Sequence, residues 1–259
     1  GTCFCSSTET PELEIERPWR TITWELLTEL MDDIKTFKPT VGSVSQARVL
    51  LVGPVGAGKS SFFNSINSVF RGHVTSQAMS GCSSTSLTTQ VSVSGREGKP
   101  LPIILCDTMG LEDSKGAGLD IDDISSILKG HLPDCYQVQQ FNALSRILNH
   151  FVNVLSALVS PGVPQLVLLT KVDEACPLVK KDVRNVYKSG YIKELMQKVS
   201  TRLGVPLSCV VPVRNYSEEL ELDLNCDILL LSAIIQMLRF ADNYFDDVSD
   251  RLSEVKLKE

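Results

Sequence analysis

The sequence lacks a basic excess, a paired-cysteine pattern and a long apolar run, and each absence removes a class of function. Its net charge is −6, whereas nucleic-acid binders present basic patches or stripes. Nucleic acid is therefore not an expected partner. The eight cysteines, at 3, 5, 82, 106, 135, 176, 209 and 226, include no C-x-x-C pair. That spread reads as reduced thiols of a cytoplasmic protein and not as a disulfide framework. Cys106 and Cys209 fall inside apolar runs, where a thiol fills the core. The longest apolar stretch, Ile228 to Leu238, is too short to span a bilayer and contains Ser232 and Gln236. No signal peptide is visible behind Gly1. None of the three histidines, His73, His131 and His150, sits in a catalytic signature.

What remains suits one domain with extensions: 259 residues, 43% of them hydrophobic. Residues 1–17 are polar and acidic and read as a tail or linker, 18–248 as the domain, and 249–259 as a charged C-terminal tail. Trp24, Leu27, Leu30, Met31 and Ile34 repeat at three and four, which predicts a helix over 19–37 between Pro18 and Pro39. Val49 to Val52 predicts a strand and Ser60 to Phe70 a helix. Residues 72–90, rich in Ser, Thr and Gly, read as a long functional loop. Val91–Val93 and Leu101–Cys106 flank the turn Gly95–Gly98 and predict an antiparallel hairpin. Asp120–Leu128 reads as a short helix. Residues 136–160 fit a helical stripe, yet Phe151–Val159 also fits a strand. Gln165–Leu169 and Cys209–Val213 read as strands, 180–203 as mainly helical, and Asn225–Phe245 as an amphipathic helix.

The chain is organised around Gly53-Pro-Val55-Gly56-Ala57-Gly58-Lys59-Ser60-Ser61. This is the phosphate-binding pattern G-x-x-x-x-G-K-S, set between a strand and a helix. Glycines let successive N–H groups curl inward around an anion. The helix N-terminus behind Gly58 favours negative charge. Lys59 adds a point charge near the β- and γ-phosphates, and Ser60 offers a hydroxyl to Mg²⁺.

Two later motifs narrow the nucleotide. Asp107-x-x-Gly110 closes a strand, at the edge where open α/β sheets bind ligands. Asp107 there can hold the Mg²⁺ shell through water, and the Gly110 N–H can meet the γ-phosphate. Thr170-Lys171-Val172-Asp173 is spaced like the base-reading N-K-x-D motif. Guanine offers N1–H and a 2-amino group side by side, and the Asp173 carboxylate can accept both. Adenine has no such donor pair. The stem of Lys171 can lie over the base. Thr170 departs from the pattern, because a hydroxyl cannot reproduce the two-ended hydrogen bonding of an Asn amide. A threonine of the loop 72–90 should cap Mg²⁺ and the γ-phosphate. Thr85 is preferred over Thr88 and Thr89. Arg214 and Asn215 follow the last strand, where base-contacting backbone N–H groups would sit.

The order of these pieces resembles the Ras-like GTPase superfamily. The resemblance implies an α/β P-loop NTPase fold: a doubly wound, mostly parallel sheet flanked by helices, with an added N-terminal helix. A closer similarity rests on Pro18-Trp-Arg, Gly53 to Ser60, Cys106-Asp-Thr-Met-Gly-Leu-Glu112, the run Asp122 to Asp134, and Asn215-Tyr-x-x-Glu-Leu-Glu-Leu-Asp223. Over residues 17–248 these resemble the interferon-induced protein 44 family. Members of that family carry a GTPase-like domain, in some cases behind an upstream TLDc domain, and are cytosolic and associated with antiviral responses. The resemblance implies GTP or GDP with Mg²⁺ at Gly53–Ser60, Asp107, Gly110 and Thr170–Asp173.

Ras-like enzymes place a water-orienting glutamine after the D-x-x-G glycine. Here the position holds Leu111, which neither donates nor accepts. Slow intrinsic turnover is expected, with Lys59 and Thr85 as the catalytic-site residues and a second copy or another protein completing the site. The contrasting expectation is a module that binds nucleotide without turning it over.

Overall fold

Apolar residues on both faces make β3 (Pro100–Thr108) the centre of its sheet, with Leu101, Ile103, Ile104, Leu105 and Cys106 all buried. It pairs in parallel with β1 (Ala47–Leu51) and antiparallel with β2 (Thr88–Ser94), giving the order β1-β3-β2. The expected hairpin is therefore present, and residues 88–90 of the expected loop belong to a strand. A second sheet pairs β4 (Val167–Leu169) in parallel with β5 (Val210–Pro212). Its ladder continues one step further, with Val213 N donating to Leu169 O at 2.8 Å. The computed structural model describes residues 14–54, 56–75, 88–94, 100–108 and 162–256. Among them the architecture is α/β, with parallel strands and flanking helices. It differs from the single doubly wound sheet expected from the motif order: the described strands fall into a three-stranded and a two-stranded sheet. The helices expected at 120–128 and 136–160, and the strand alternative at 151–159, lie outside the described residues.

Helix α1 (Leu27–Thr36) lays Leu27, Leu30, Met31 and Ile34 on the first core. Helix α2 (Lys59–Arg71) buries Phe62, Phe63, Ile66, Val69 and Phe70 in the same core. Gly72 stops α2 in a left-handed conformation, φ 75°, and its N–H closes on Ser68 and Val69 carbonyls. Parallel strands need a crossover. Between β4 and β5 it is built from α3 (Val172–Ala175), α4 (Pro177–Lys181), a 3₁₀ turn (Val183–Tyr187) and α5 (Gly190–Leu203). These pack a second core around Val179, Val186, Ile192 and Met196. Helix α6 (Leu224–Lys256) lies between the two cores, with Leu230 and Leu231 in the first and Leu229 in the second.

Two helices differ from expectation at their ends. The first starts at Leu27 and not near 19, because Trp19, Ile22 and Trp24 turn away to pack on the second core. Trp19 stands edge-on to Tyr187 at 5.4 Å, and Arg20 packs against both rings while donating to Leu207 O and Val210 O at 2.8 and 2.9 Å. Apolar spacing had put Trp24 on one stripe with Leu27, Leu30, Met31 and Ile34, although it joins the other core. Upstream, Ile15 N donates to Lys188 O at 2.7 Å, and Glu14 bridges Ser189. The last helix runs past Phe245 to Lys256, since neither Gly nor Pro interrupts 224–256. As one continuous helix, Leu224–Glu254 is long and apolar enough to cross a membrane by length and composition, although the contiguous run 228–238 alone is not. Of its apolar window, 56% is buried against the rest of the chain.

Candidate functional site

Strand β1 delivers the chain into the glycine loop, and Gly56 and Gly58 bend it through positive φ, 76° and 86°. A side chain at Gly58 would be strained there, and its Cβ would stand 2.9 Å from the Asn215 amide nitrogen. Ala57 N donates to Pro54 O at 3.2 Å. Lys59, the first residue of α2, reaches back with Nζ to the carbonyls of Gly53 and Pro54 at 2.8 and 3.1 Å. The loop is thus folded onto its own origin, with the α2 N-terminus at its end. Ser60 is exposed and Ser61 half-buried. Val55 lies outside the described residues.

Strand β4 brings Thr170 to the other side of the loop, where its hydroxyl donates to Ala57 O at 2.8 Å. The next residue, Lys171, takes φ 58°, the one non-glycine residue at positive φ among the described residues. That conformation costs about 1–2 kcal/mol in a residue with a Cβ. It turns the chain straight into α3, so that Asp173 lies in that helix's first turn. Lys171 Nζ is exposed and stands 3.5 Å from Glu174.

The segment after β5 meets both groups. Asn215 Nδ2 donates to Gly58 O at 3.2 Å, and that carbonyl also accepts the first helical bond, from Phe62 N at 2.8 Å. Arg214 Nε stands 3.5 Å from Asp173 Oδ2, while Nη2 donates to Glu219. Burial lowers the Arg214 pKa, but hydrogen bonding to Glu219 and the charges around it outweigh burial, and the net shift is upward. Two side chains from two loops thus hold successive carbonyls of the glycine loop, Thr170 on Ala57 and Asn215 on Gly58.

The expected residues do not all converge among the described ones. Lys59, Ser60, Thr170, Asp173, Arg214 and Asn215 belong to segments that meet at or beside the glycine loop. Asp107 pairs in register with Leu51, which puts the end of β3 beside the entrance to the loop. Thr88 and Thr89 lie in β2, opposite Thr108 and Asp107. Thr85, Gly110 and Leu111 lie outside the described residues.

Sequence reading missed the scaffold under the last loop. Tyr216 N donates to Ser65 Oγ of α2 at 2.9 Å, and its hydroxyl donates to Asp227 Oδ1 of α6 at 2.6 Å. That hydroxyl also accepts from Asp223 N at 2.7 Å. Burial raises the Tyr216 pKa and pushes Asp227 up to about 6, although the Tyr216 hydrogen bond favours the Asp227 carboxylate. Cys226, its thiol pushed up to about 12 by burial, donates to Arg214 O at 3.2 Å. The run Asn215–Asp223 contained Tyr216 and Asp223, but nothing in it signalled contacts to Ser65 or Asp227.

Residues 48–171 match the family model described as 50S ribosome-binding GTPase. The chain is also similar to human interferon-induced protein 44-like, 39% identical over 85% of this chain and 57% of that protein. Similarity to human interferon-induced protein 44 is 37% identity over 86% of this chain and 59% of that protein. For mouse interferon-induced protein 44 it is 32% over 94% and 66%. The chain thus spans less than two thirds of these relatives' lengths.

Proposed function

The chain is a GTPase-like domain consistent with the interferon-induced protein 44 family, at moderate identity over most of its length, and from that premise we propose that it binds GTP and GDP with Mg²⁺ as a slow GTPase. The observation that carries this reading is the closure of two base-side loops on one phosphate-type loop: Thr170 to Ala57 O at 2.8 Å and Asn215 to Gly58 O at 3.2 Å. In this reading the loop amides and the Asp173 carboxylate belong to one site. The loop 53–61 with its α2 N-terminus and Lys59 suits a polyphosphate. Asp173 suits the guanine N1–H and 2-amino pair, and Lys171 covers the base. The backbone N–H groups of Arg214 and Asn215 suit the opposite base edge, and Gly110 N–H suits the γ-phosphate.

Ser60, Thr85 and Asp107 are the residues that would hold Mg²⁺. All three are oxygen donors, as a hard cation requires, and so few protein ligands leave room for phosphate oxygens and water. When bound, the ion neutralises charge on the phosphate oxygens. Lys59 adds positive charge near the same phosphates, and Leu111 leaves the attacking water without an orienting side chain. Hydrolysis therefore runs slowly, faster when a second copy or another protein supplies the orienting group. As part of the same proposal, an interferon-induced context is drawn from the relatives' names, and an antiviral, cytoplasmic setting from the family resemblance.

A second reading is favoured by the same Leu111 together with Thr170: a module that binds GTP or GDP to stabilise an interaction surface, without turnover. Calorimetry with GDP and ADP tests the base preference, and equal affinities contradict the proposal. Phosphate release under multiple turnover separates the two readings. A slow rate abolished by Lys59→Ala supports the enzyme, and no release above buffer supports the module.

A further inference from the structure

The side chain of Arg214 has a role that the expected backbone contact does not cover. Its Nη2 is held by Glu219. Glu219 is itself fixed, because its second oxygen accepts from Ser217 N and Glu218 N at 2.8 and 3.1 Å. The Arg214 carbonyl is held by the Cys226 thiol. Both ends of the residue are therefore set before any ligand arrives. Its Nε is buried and has no hydrogen-bond partner. It stands 3.5 Å from Asp173 Oδ2, beyond hydrogen-bond length but well within ion-pair range. The three side chains are each about a quarter exposed, at 25% for Asp173, 24% for Arg214 and 27% for Glu219, so their charges are only partly screened.

An unpartnered buried N–H is costly, and this one faces a single carboxylate. A small approach by Asp173 satisfies it. Each carboxylate oxygen has two acceptor sites, so Oδ2 can serve Arg214 and a ligand N–H together. We infer that Arg214, braced by Glu219, is a positioning residue that fixes the rotation of the Asp173 carboxylate and so sets selectivity for a purine carrying a 2-amino group. The inference rests on the guanine reading above and names the residue that sharpens it. Its physical basis is planarity. Two parallel hydrogen bonds to N1–H and the 2-amino group require the carboxylate coplanar with the base. A single hydrogen bond to hypoxanthine, which lacks the amino group, tolerates rotation. Arginine suits the brace because its planar fork engages two carboxylates at once, which a lysine ammonium cannot reproduce in fixed geometry.

The test is calorimetry with GDP and inosine diphosphate on the wild-type chain, R214A, R214K and E219Q. Losing the second hydrogen bond to a charged acceptor is worth roughly a tenfold change in affinity. R214A should therefore cut the GDP-to-IDP affinity ratio by about three- to tenfold, with IDP affinity changing least. R214K should restore part of the ratio, and E219Q should shift it the same way by a smaller factor. A merely structural role would weaken both ligands equally and leave the ratio alone. An unchanged ratio in R214A, or tighter GDP binding there, overturns the inference; the second outcome would make Arg214 a competitor of the base. If R214A does not fold, E219Q decides on the same ratio. A wild-type chain that fails to prefer GDP to ADP sinks the guanine reading itself, which is a separate failure.

Discussion

The two halves of the proposed site are held in different ways. The glycine loop is braced by its own neighbours: Lys59 bonds the carbonyls of Gly53 and Pro54, and the helix that follows is anchored by five large apolar side chains. The base-side half is assembled from residues far apart in sequence: Thr170 reaches Ala57 from 113 residues away and Asn215 reaches Gly58 from 157. A local loop can form as soon as its helix docks. The other half exists only when β4, β5 and α2 are all in place. The first half should therefore resist single substitutions that leave its glycines alone, and the second should respond to each of its polar contacts.

The substitution expected to act most strongly breaks both halves at once. Gly58→Ala forces a left-handed conformation worth about 1–2 kcal/mol on a residue with a Cβ. It also pushes that Cβ to 2.9 Å from Asn215 Nδ2. GDP affinity should fall about a hundredfold, with a lower melting temperature, as calorimetry and thermal melting would report. Normal affinity would mean that the two loops are not jointly constrained.

Asn215→Ala separates the halves. It removes one hydrogen bond of about 1 kcal/mol, so nucleotide affinity should drop about fivefold. Binding of inorganic triphosphate, which does not reach the base-side residues in this account, should fall less. An equal loss for both ligands would place Asn215 in the phosphate half.

A smaller effect separates them by pH. Asp227 lies under the base-side loop with a folded pKa of about 6 against an ordinary 3.8. Between those values the folded chain keeps a proton that the unfolded chain releases, so stability falls as pH rises through that window. Above about 6 the full cost is present, on the order of 2–3 kcal/mol from the size of the shift. Asp227→Asn should therefore raise stability at pH 7.5, by ~1–2 kcal/mol once the lost charge at the helix start is set against it. The gain should fade toward pH 4, and denaturant melts at the two pH values measure it. A gain of the same size at both would contradict the buried-carboxyl explanation.

The strand β1, the helix α2 and the β2–β3 hairpin were legible in the chain because each is a short, contiguous pattern. The helix start near 19 was misjudged because periodicity counts Trp24 into the stripe of Leu27, Leu30, Met31 and Ile34 without naming the core it joins. The split of the strands into two sheets was equally hidden. Asn215's hold on Gly58 and the Glu219–Arg214–Asp173 series could not be read either, since no local pattern encodes a contact between residues on different crossovers. Thr170 is the instructive case. Read alone it was a lost amide, and only the fold brings Asn215 to the neighbouring carbonyl.

The most direct measurement of the central claim, that one guanine nucleotide spans Lys59 and Asp173, is the base preference of Asp173→Asn. Exchanging the carboxylate for an amide keeps an acceptor for N1–H, removes the acceptor for the guanine 2-amino group and supplies a donor for the 2-oxo group of xanthine. The account predicts that GDP affinity falls by at least about thirtyfold and xanthosine diphosphate affinity rises, with Lys59→Ala weakening whichever nucleotide is preferred. Unaltered affinities for both diphosphates in Asp173→Asn would contradict it, because the carboxylate would then have no part in reading the base.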